Sequence, residues 1–272
     1  MVTNPRETRK VATSTPADRG MLFVPAEVTT SDGLRLAGWF IPSSRRAAVM
    51  LVPGYKDSRS GVLGVAEVLN QAGFGVLVAT LRAHDGNDGE LITFGLHENR
   101  DLGAWYEYLR ARHDVNPGRI GLFGVSMGGT IGIGFASDQP GIRAIVADGA
   151  FSSVADTAAT SVRHFTGLPA FPFANGIVFW MERRIGGRAS DLDATKWIGR
   201  LAPRAVLLMQ GGADVVVSPD SGRRLFDAAG EPKELWFDPN LGHTEFLRRR
   251  PQEFDLRVIG FLERYLDTSS RF

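Results

Sequence analysis

Gly124-Val125-Ser126-Met127-Gly128 is the stretch of the chain whose residue types and spacing could do the most chemistry. A serine hydroxyl attacks a carbonyl only if it stands clear of its surroundings, and a sharp turn from strand into helix lifts it there. Small residues two before and two after the serine let the backbone fold that tightly. The flanks agree with such a turn. Ile120–Phe123 reads as a short buried strand, and Thr130–Phe135 continues as a glycine-rich helix able to pack close to a sheet. Other chemistries find little support. The absence of cysteine excludes disulfides, a cysteine nucleophile and thiolate metal sites. Five scattered histidines contain no i, i+4 pair, so no metal is expected. No strand–GxGxxG–helix unit followed by an acid is present, and no cofactor is expected.

The elements that must position Ser126 follow from periodicity. Val28–Thr30 and Leu34–Ile41 flank a Ser31-Asp32-Gly33 turn signal. Ala47–Val52 and Gly75–Leu81 are continuous apolar runs, the pattern of strands buried on both faces. Between them Val62, Val65 and Leu69 form a helical stripe, and Leu102, Trp105 and Leu109 form another before Asn116-Pro117-Gly118. Ala144–Val146 continues the alternation, which lapses over about 152–200 and resumes with Ala205–Met209, Ser221–Ala229, Glu234–Phe237 and Phe254–Tyr265. Strand then helix, repeated, predicts an α/β fold: a mostly parallel central sheet covered by helices on both faces. The expected division is a flexible N-terminal arm over 1–20, an α/β core over 21–151 and 201–272, and a helical cap over 152–200.

These motifs, in this order, resemble the α/β-hydrolase superfamily, and in particular its capped bacterial serine hydrolases, the peptidase-like and dienelactone-hydrolase-like esterases. The resemblance runs from about Leu22 to Leu266. It rests on Val52-Pro53-Gly54-Tyr55, Leu81-Arg82-Ala83-His84, Thr93-Phe94-Gly95, the serine turn, Gly211-Gly212-Ala213-Asp214 and Leu241-Gly242-His243. It implies an α/β-hydrolase fold with a helical cap inserted after the sixth strand. It also implies a triad in the order serine, acid, histidine, here Ser126, Asp214 and His243. Both partners follow apolar strands and so fall at the carboxyl edge where such sheets build their sites. The other histidines fit other places: His113 at a helix end, His164 in the cap, His97 before a helix, and His84 ahead of the serine in the chain. Asp220, six residues beyond Asp214, reads as a solvated helix-end charge.

The resemblance further implies an oxyanion hole from the backbone N–H groups of Met127 and Tyr55. Two departures stand out. Pro53 replaces a histidine common in the family, and Asp85 and Asn87 replace glycine and serine, a change expected to alter the rim of the site. The cap sequence carries Phe165, Phe171, Phe173, Phe179 and Trp180, expected either to wall the substrate pocket or to make the cap's own small core.

Composition limits the partners. The chain has 272 residues, 43% hydrophobic and 22% charged, which is ordinary globular protein. Its net charge of +1, from 31 basic and 30 acidic side chains, argues against nucleic acid or an anionic membrane as the main partner. No run reaches the ~18 apolar residues of a membrane span, and the polar first twenty residues lack a secretory signal, so a cytoplasmic protein is the default. The expected activity is hydrolysis of a small-molecule ester through an acyl-enzyme on Ser126. An aminopeptidase, thioesterase or lactone hydrolase on the same residues is the alternative, with a non-catalytic binding protein of the same fold behind it. The sequence leaves the oligomeric state undetermined.

Overall fold

The structure, a computed structural model, describes residues 10–267. Its strands are β1 (Val24–Thr29), β2 (Arg35–Ile41), β3 (Ala48–Val52), β4 (Gly75–Val78), β5 (Ile120–Val125), β6 (Ile142–Asp148), β7 (Ala205–Gly211) and β8 (Lys233–Asp238). They form one sheet in the order β1-β2-β4-β3-β5-β6-β7-β8. β2 runs antiparallel to both β1 and β4, and every other pairing is parallel. The apolar runs behave as their composition demands, since every residue of β3, β4 and β7 is buried. Along β3, Ala48, Met50 and Val52 enter the core on one face while Val49 and Leu51 enter the core on the other.

The helices lie on both faces. α1 (Leu63–Gln71) packs Leu63, Ala66 and Leu69 into one core. α2 (Glu98–Arg110) and α3 (Met127–Asp138) pack Leu102, Trp105, Leu109 and Ile131 into the other. Between β6 and β7 the chain is helical, with α4 (Val154–Thr166), α5 (Ala170–Ile185) and the short α6 (Thr195–Ile198). An isolated bridge between Ser153 and Asp193 draws the two ends of this insertion together. α7 (Asp220–Ala228) follows β7. After β8 come α8 (Phe246–Arg249), α9 (Pro251–Phe254) and α10 (Gly260–Leu266), the last two joined by a π-helical stretch over Asp255–Ile259. Phe254, Val258 and Phe261 of this terminal segment fill the α1 side of the sheet.

The strand order reverses at β3, with β4 on one side and β5 on the other. Reversal opens a crevice above the carboxyl ends of those two strands, where open α/β sheets bind ligands. The segments leaving it there are Pro53-Gly54-Tyr55 from β3 and Ser126 from β5.

Two buried ionic clusters anchor the loop after β4. Arg82 donates to Asp101 of α2 and to Asp32 of the β1–β2 turn, and these carboxylates hold its guanidinium more firmly protonated than usual despite the burial that opposes it. Asp85, whose side chain is fully buried, accepts from the N–H and Nε of Arg59 and from the N–H of Ala12. Asn87 donates to Thr80 Oγ1 and the Leu81 carbonyl and accepts from the Ala37 N–H. Asp85 and Asn87 therefore brace this loop from beneath instead of shaping a rim. Of the arm expected to be flexible, residues 1–9 lie outside the described residues, while 10–20 are tied down. Pro16–Arg19 forms a single turn, Arg19 pairs with Glu67 at 2.6 Å, and the Ala12 bond to Asp85 holds the chain at 2.6 Å.

Candidate active site

Ser126 occupies the turn between β5 and α3 with φ 53° and ψ −118°, a conformation that residues with a side chain rarely adopt. Its N–H donates to the Asp148 carbonyl of β6 at 2.7 Å, which pins the turn to the neighbouring strand. The glycines two residues away are sterically required. A β-carbon at Gly124 would overlap the backbone of Gly128 and Gly129, and one at Gly128 would overlap the Val52 and Pro53 carbonyl oxygens. The close approach at Gly128 also brings the β3 loop beside Ser126.

His243 and Asp214 converge on the serine from the loops after β8 and β7. His243 Nε2 lies 2.8 Å from Ser126 Oγ, and His243 Nδ1 lies 2.7 Å from Asp214 Oδ2. The two loops are laced by the Gly212 N–H to the Asp238 carbonyl and the Ala213 N–H to the Leu241 carbonyl. Asp214 is buried, and its Oδ1 accepts the N–H groups of Val216 and Val217 at 2.8 and 2.9 Å. Gln210 Nε2 approaches Oδ2 at 3.4 Å. A carboxylate that only accepts obliges Nδ1 to be the protonated ring nitrogen, leaving Nε2 a lone pair for the serine hydroxyl proton. Gly149, with φ 65°, lets the end of β6 lie against the ring, because a β-carbon there would sit 3.1 Å from His243 Cε1.

Tyr55 and Met127 both line the cavity that contains Ser126. Met127 opens α3, so its N–H belongs to the first-turn donors that have no carbonyl four residues back. The Tyr55 ring stacks on Phe94 at 5.8 Å, and burial pushes its phenol up to about 12, so it stays protonated. Phe94 is held by Glu98, a fully buried carboxylate that accepts the Thr93 N–H, the Thr93 hydroxyl and the Gly95 N–H at 2.6, 2.6 and 2.8 Å. That arrangement gives the Thr93-Phe94-Gly95 motif a physical basis.

The cavity measures 230 Å³. Beyond Tyr55 and Phe94 its wall comes from Phe151, from Val154, Thr157, Ala158, Ser161 and Val162 of α4, from Ile177, Val178 and Met181 of α5, and from Val216 and Val217. Among the described residues no charged side chain lines it. The five aromatics expected in this role are elsewhere. Phe165, Phe171, Phe173, Phe179 and Trp180 are all exposed, and none lines the cavity or fills a core inside the cap. The physical reason is helical phase: α5 turns Val178 and Met181 inward, and Phe179 and Trp180, one position away from each, therefore face out. The missed lining residues of α4 did leave a signal, since Val154, Ala158 and Ser161-Val162 recur at i, i+4, i+7 and i+8.

The sequence reading also passed over Asp148, the last residue of β6. It is buried, its Oδ1 has no hydrogen-bond partner, and burial pushes its carboxyl up to about 7 against the attraction of His243, with Asp214 adding to the rise. In the unfolded chain an aspartate titrates near ~3.9. Between those values the folded protein holds a proton that the unfolded chain releases, so this group's contribution to stability falls as pH rises through the window. Asp148→Asn should therefore gain on the unmodified protein between pH ~5 and ~8. Thermal midpoints of both proteins at the two pH values check this; a gap that stays constant or moves against the variant would contradict it.

Asp220 is the exposed first residue of α7, and His113 and His164 are exposed. Among the described residues no cluster of histidine, aspartate and glutamate could hold a metal ion, and no helix is long and apolar enough to cross a membrane.

Comparison with known proteins places this geometry in context. A family model described as X-Pro dipeptidyl-peptidase (S15 family) matches residues 27–166. An uncharacterised protein of Mycobacterium tuberculosis is 32% identical over 250 residues, covering 90% of this chain and 77% of that protein. The uncharacterised protein YfhR of Escherichia coli is 29% identical over 248 residues, covering 87% of this chain and 79% of that one. The solved structure of the Pyrococcus furiosus esterase Pf2001 superposes with a TM-score of 0.81 at 26% identity, covering 98% of this chain and 99% of that chain. The α/β hydrolase GrgF from Penicillium superposes at 0.75 with 19% identity over 91% of this chain and 100% of that one, which shows the shared fold.

Proposed function

The chain belongs to the X-Pro dipeptidyl-peptidase (S15) family and has the α/β-hydrolase fold, and from that premise we propose that it is a serine carboxylesterase acting on short to medium acyl chains. Ser126 Oγ attacks the ester carbonyl as His243 Nε2 takes the hydroxyl proton. Asp214 holds the ring tautomer and stabilises the imidazolium. The oxyanion that develops on the carbonyl meets the N–H groups of Tyr55 and Met127. His243 returns its proton to the leaving alcohol, and a water activated by the same ring then releases the acyl group and frees Ser126.

The observation that carries the ester reading is the uncharged wall of the cavity. A peptidase that measures from a free N-terminus has to bury an ammonium, and a buried ammonium needs a carboxylate partner. The acids of α4 and α5 are engaged elsewhere: Asp156 pairs with Arg224, and Glu182 accepts the Ala189 N–H at 2.7 Å. An apolar wall instead suits an alkyl chain. At 230 Å³ the cavity is smaller than the ~300–1,000 Å³ typical of drug-sized ligands, which favours the shorter acyl groups.

A p-nitrophenyl ester series tests this. Each methylene buried should raise kcat/KM about fourfold, equivalent to ~0.8 kcal/mol, until the cavity is full, after which kcat/KM should fall. Amino-acid and X-Pro dipeptide anilides should be poor substrates. Anilide turnover equal to ester turnover would replace this reading with the peptidase.

A further inference from the structure

Among the described residues fourteen large apolar side chains are exposed, and seven of them fall within residues 165–180, from the end of α4 through most of α5. Phe171, Trp180 and Phe165 are 75%, 71% and 67% exposed, and Phe173, Phe179, Leu168 and Ile177 join them. Scattered apolar groups on a surface need no explanation, but half of them gathered on sixteen residues do. Arginine outnumbers acid around this face. Residues 157–190 include four arginines, Arg163, Arg183, Arg184 and Arg188, all exposed. Arg183 lies over the Phe179 ring at 5.2 Å. The single acid in that stretch is Glu182, already engaged by the Ala189 N–H.

From this composition we infer that the exposed side of α5 with the α4–α5 connection docks on an anionic phospholipid surface, from which the ester substrate is drawn; the second clause rests on the esterase reading above. Aromatic rings seat at the boundary between headgroups and acyl chains, and arginine pairs with phosphate in the same layer. A second copy of the chain would meet this face with the same excess of arginine, so charge favours the lipid as occupant. The surface also connects with the chemistry. Ile177 is exposed on the apolar face and also lines the cavity that holds Ser126, so the apolar surface adjoins the cavity wall. The small net charge of +1 describes the whole chain, and the arginines concentrate locally what that total conceals.

Co-sedimentation of the full chain with vesicles of mixed phosphatidylglycerol and phosphatidylcholine tests the inference without relying on turnover. The chain should bind these vesicles at low salt and bind phosphatidylcholine alone at least tenfold more weakly. Each arginine at an anionic surface is worth about fivefold in partitioning, so Arg183→Gln with Arg184→Gln should cut binding at least tenfold. Phe171→Ser with Trp180→Ser should do the same. Neither pair lines the cavity, so both double variants should hydrolyse a water-soluble butyrate ester within twofold of the unmodified rate, while losing at least tenfold on a medium-chain ester carried in the anionic vesicles. Absence of vesicle binding, or binding unchanged in both double variants, would overturn the docking surface. So would a concentration-dependent dimer that Phe171→Ser with Trp180→Ser abolishes, seen in a chain that ignores vesicles; the occupant would then be a second copy. Vesicle binding lost in both variants, in a protein that cleaves no ester, would uphold the surface and refute the esterase reading alone.

Discussion

Asp214→Asn is expected to fold with an unchanged thermal midpoint to within a few degrees and to lose on the order of 10⁴ in turnover, the cost of the same tautomer error in a Ser-His-Asp protease. The surroundings of the carboxylate dictate how the amide must sit. Oδ1 accepts two backbone N–H groups, from Val216 and Val217, and only an oxygen can replace it. The amide nitrogen is thereby turned toward His243 Nδ1, where it donates. Nδ1 must then be the bare nitrogen and Nε2 the protonated one, so the ring presents a hydrogen to Ser126 Oγ where a lone pair is needed. Asp220→Asn, on the exposed first turn of α7, should leave turnover within twofold. Measured kcat/KM for a butyrate ester, with circular dichroism as the folding control, separates the two. A large loss in Asp220→Asn and none in Asp214→Asn would mean that the acid has been misassigned.

Ser126→Ala should abolish ester turnover, with a loss on the order of 10⁶ by analogy with serine-protease nucleophile knockouts. The fold should be indifferent to the change. Alanine keeps the β-carbon already accommodated at φ 53°, and the hydroxyl's hydrogen bond is to His243. Turnover near the unmodified rate in a folded Ser126→Ala protein would remove the nucleophile from the mechanism.

Much of this site is legible in the sequence. The apolar runs of β3 and β7 and the glycines around Ser126 are local signals with one physical solution each: strands buried on both faces, and a turn too tight for side chains. Asp214 and His243 were legible through their places after strands, in the order the family resemblance supplied. The cap was not. From Phe171 to Met181 the apolar residues fall on every side of α5, so periodicity selects no inward face, and the aromatics drew attention to the exposed side. Asp148 was hidden for a different reason. Its raised carboxyl pKa comes from burial and from Asp214, nearly 70 residues away in the chain, set against the attraction of His243, nearly 100 away, and no local window contains either. The tether from Ala12 to Asp85 was likewise invisible, being a contact between one backbone N–H and a loop 73 residues distant.

The central claim is a covalent acyl group on Ser126, and the most direct measurement is intact and peptide mass spectrometry after reaction with an alkyl fluorophosphonate, which forms a stable adduct in place of the hydrolysable acyl-enzyme. One adduct per chain is expected, carried by the peptide that contains Ser126 and lost in Ser126→Ala, with ester turnover falling in proportion to labelling. Full ester turnover in a chain that takes up no label, or a label that sits on another residue and persists in Ser126→Ala, would contradict it.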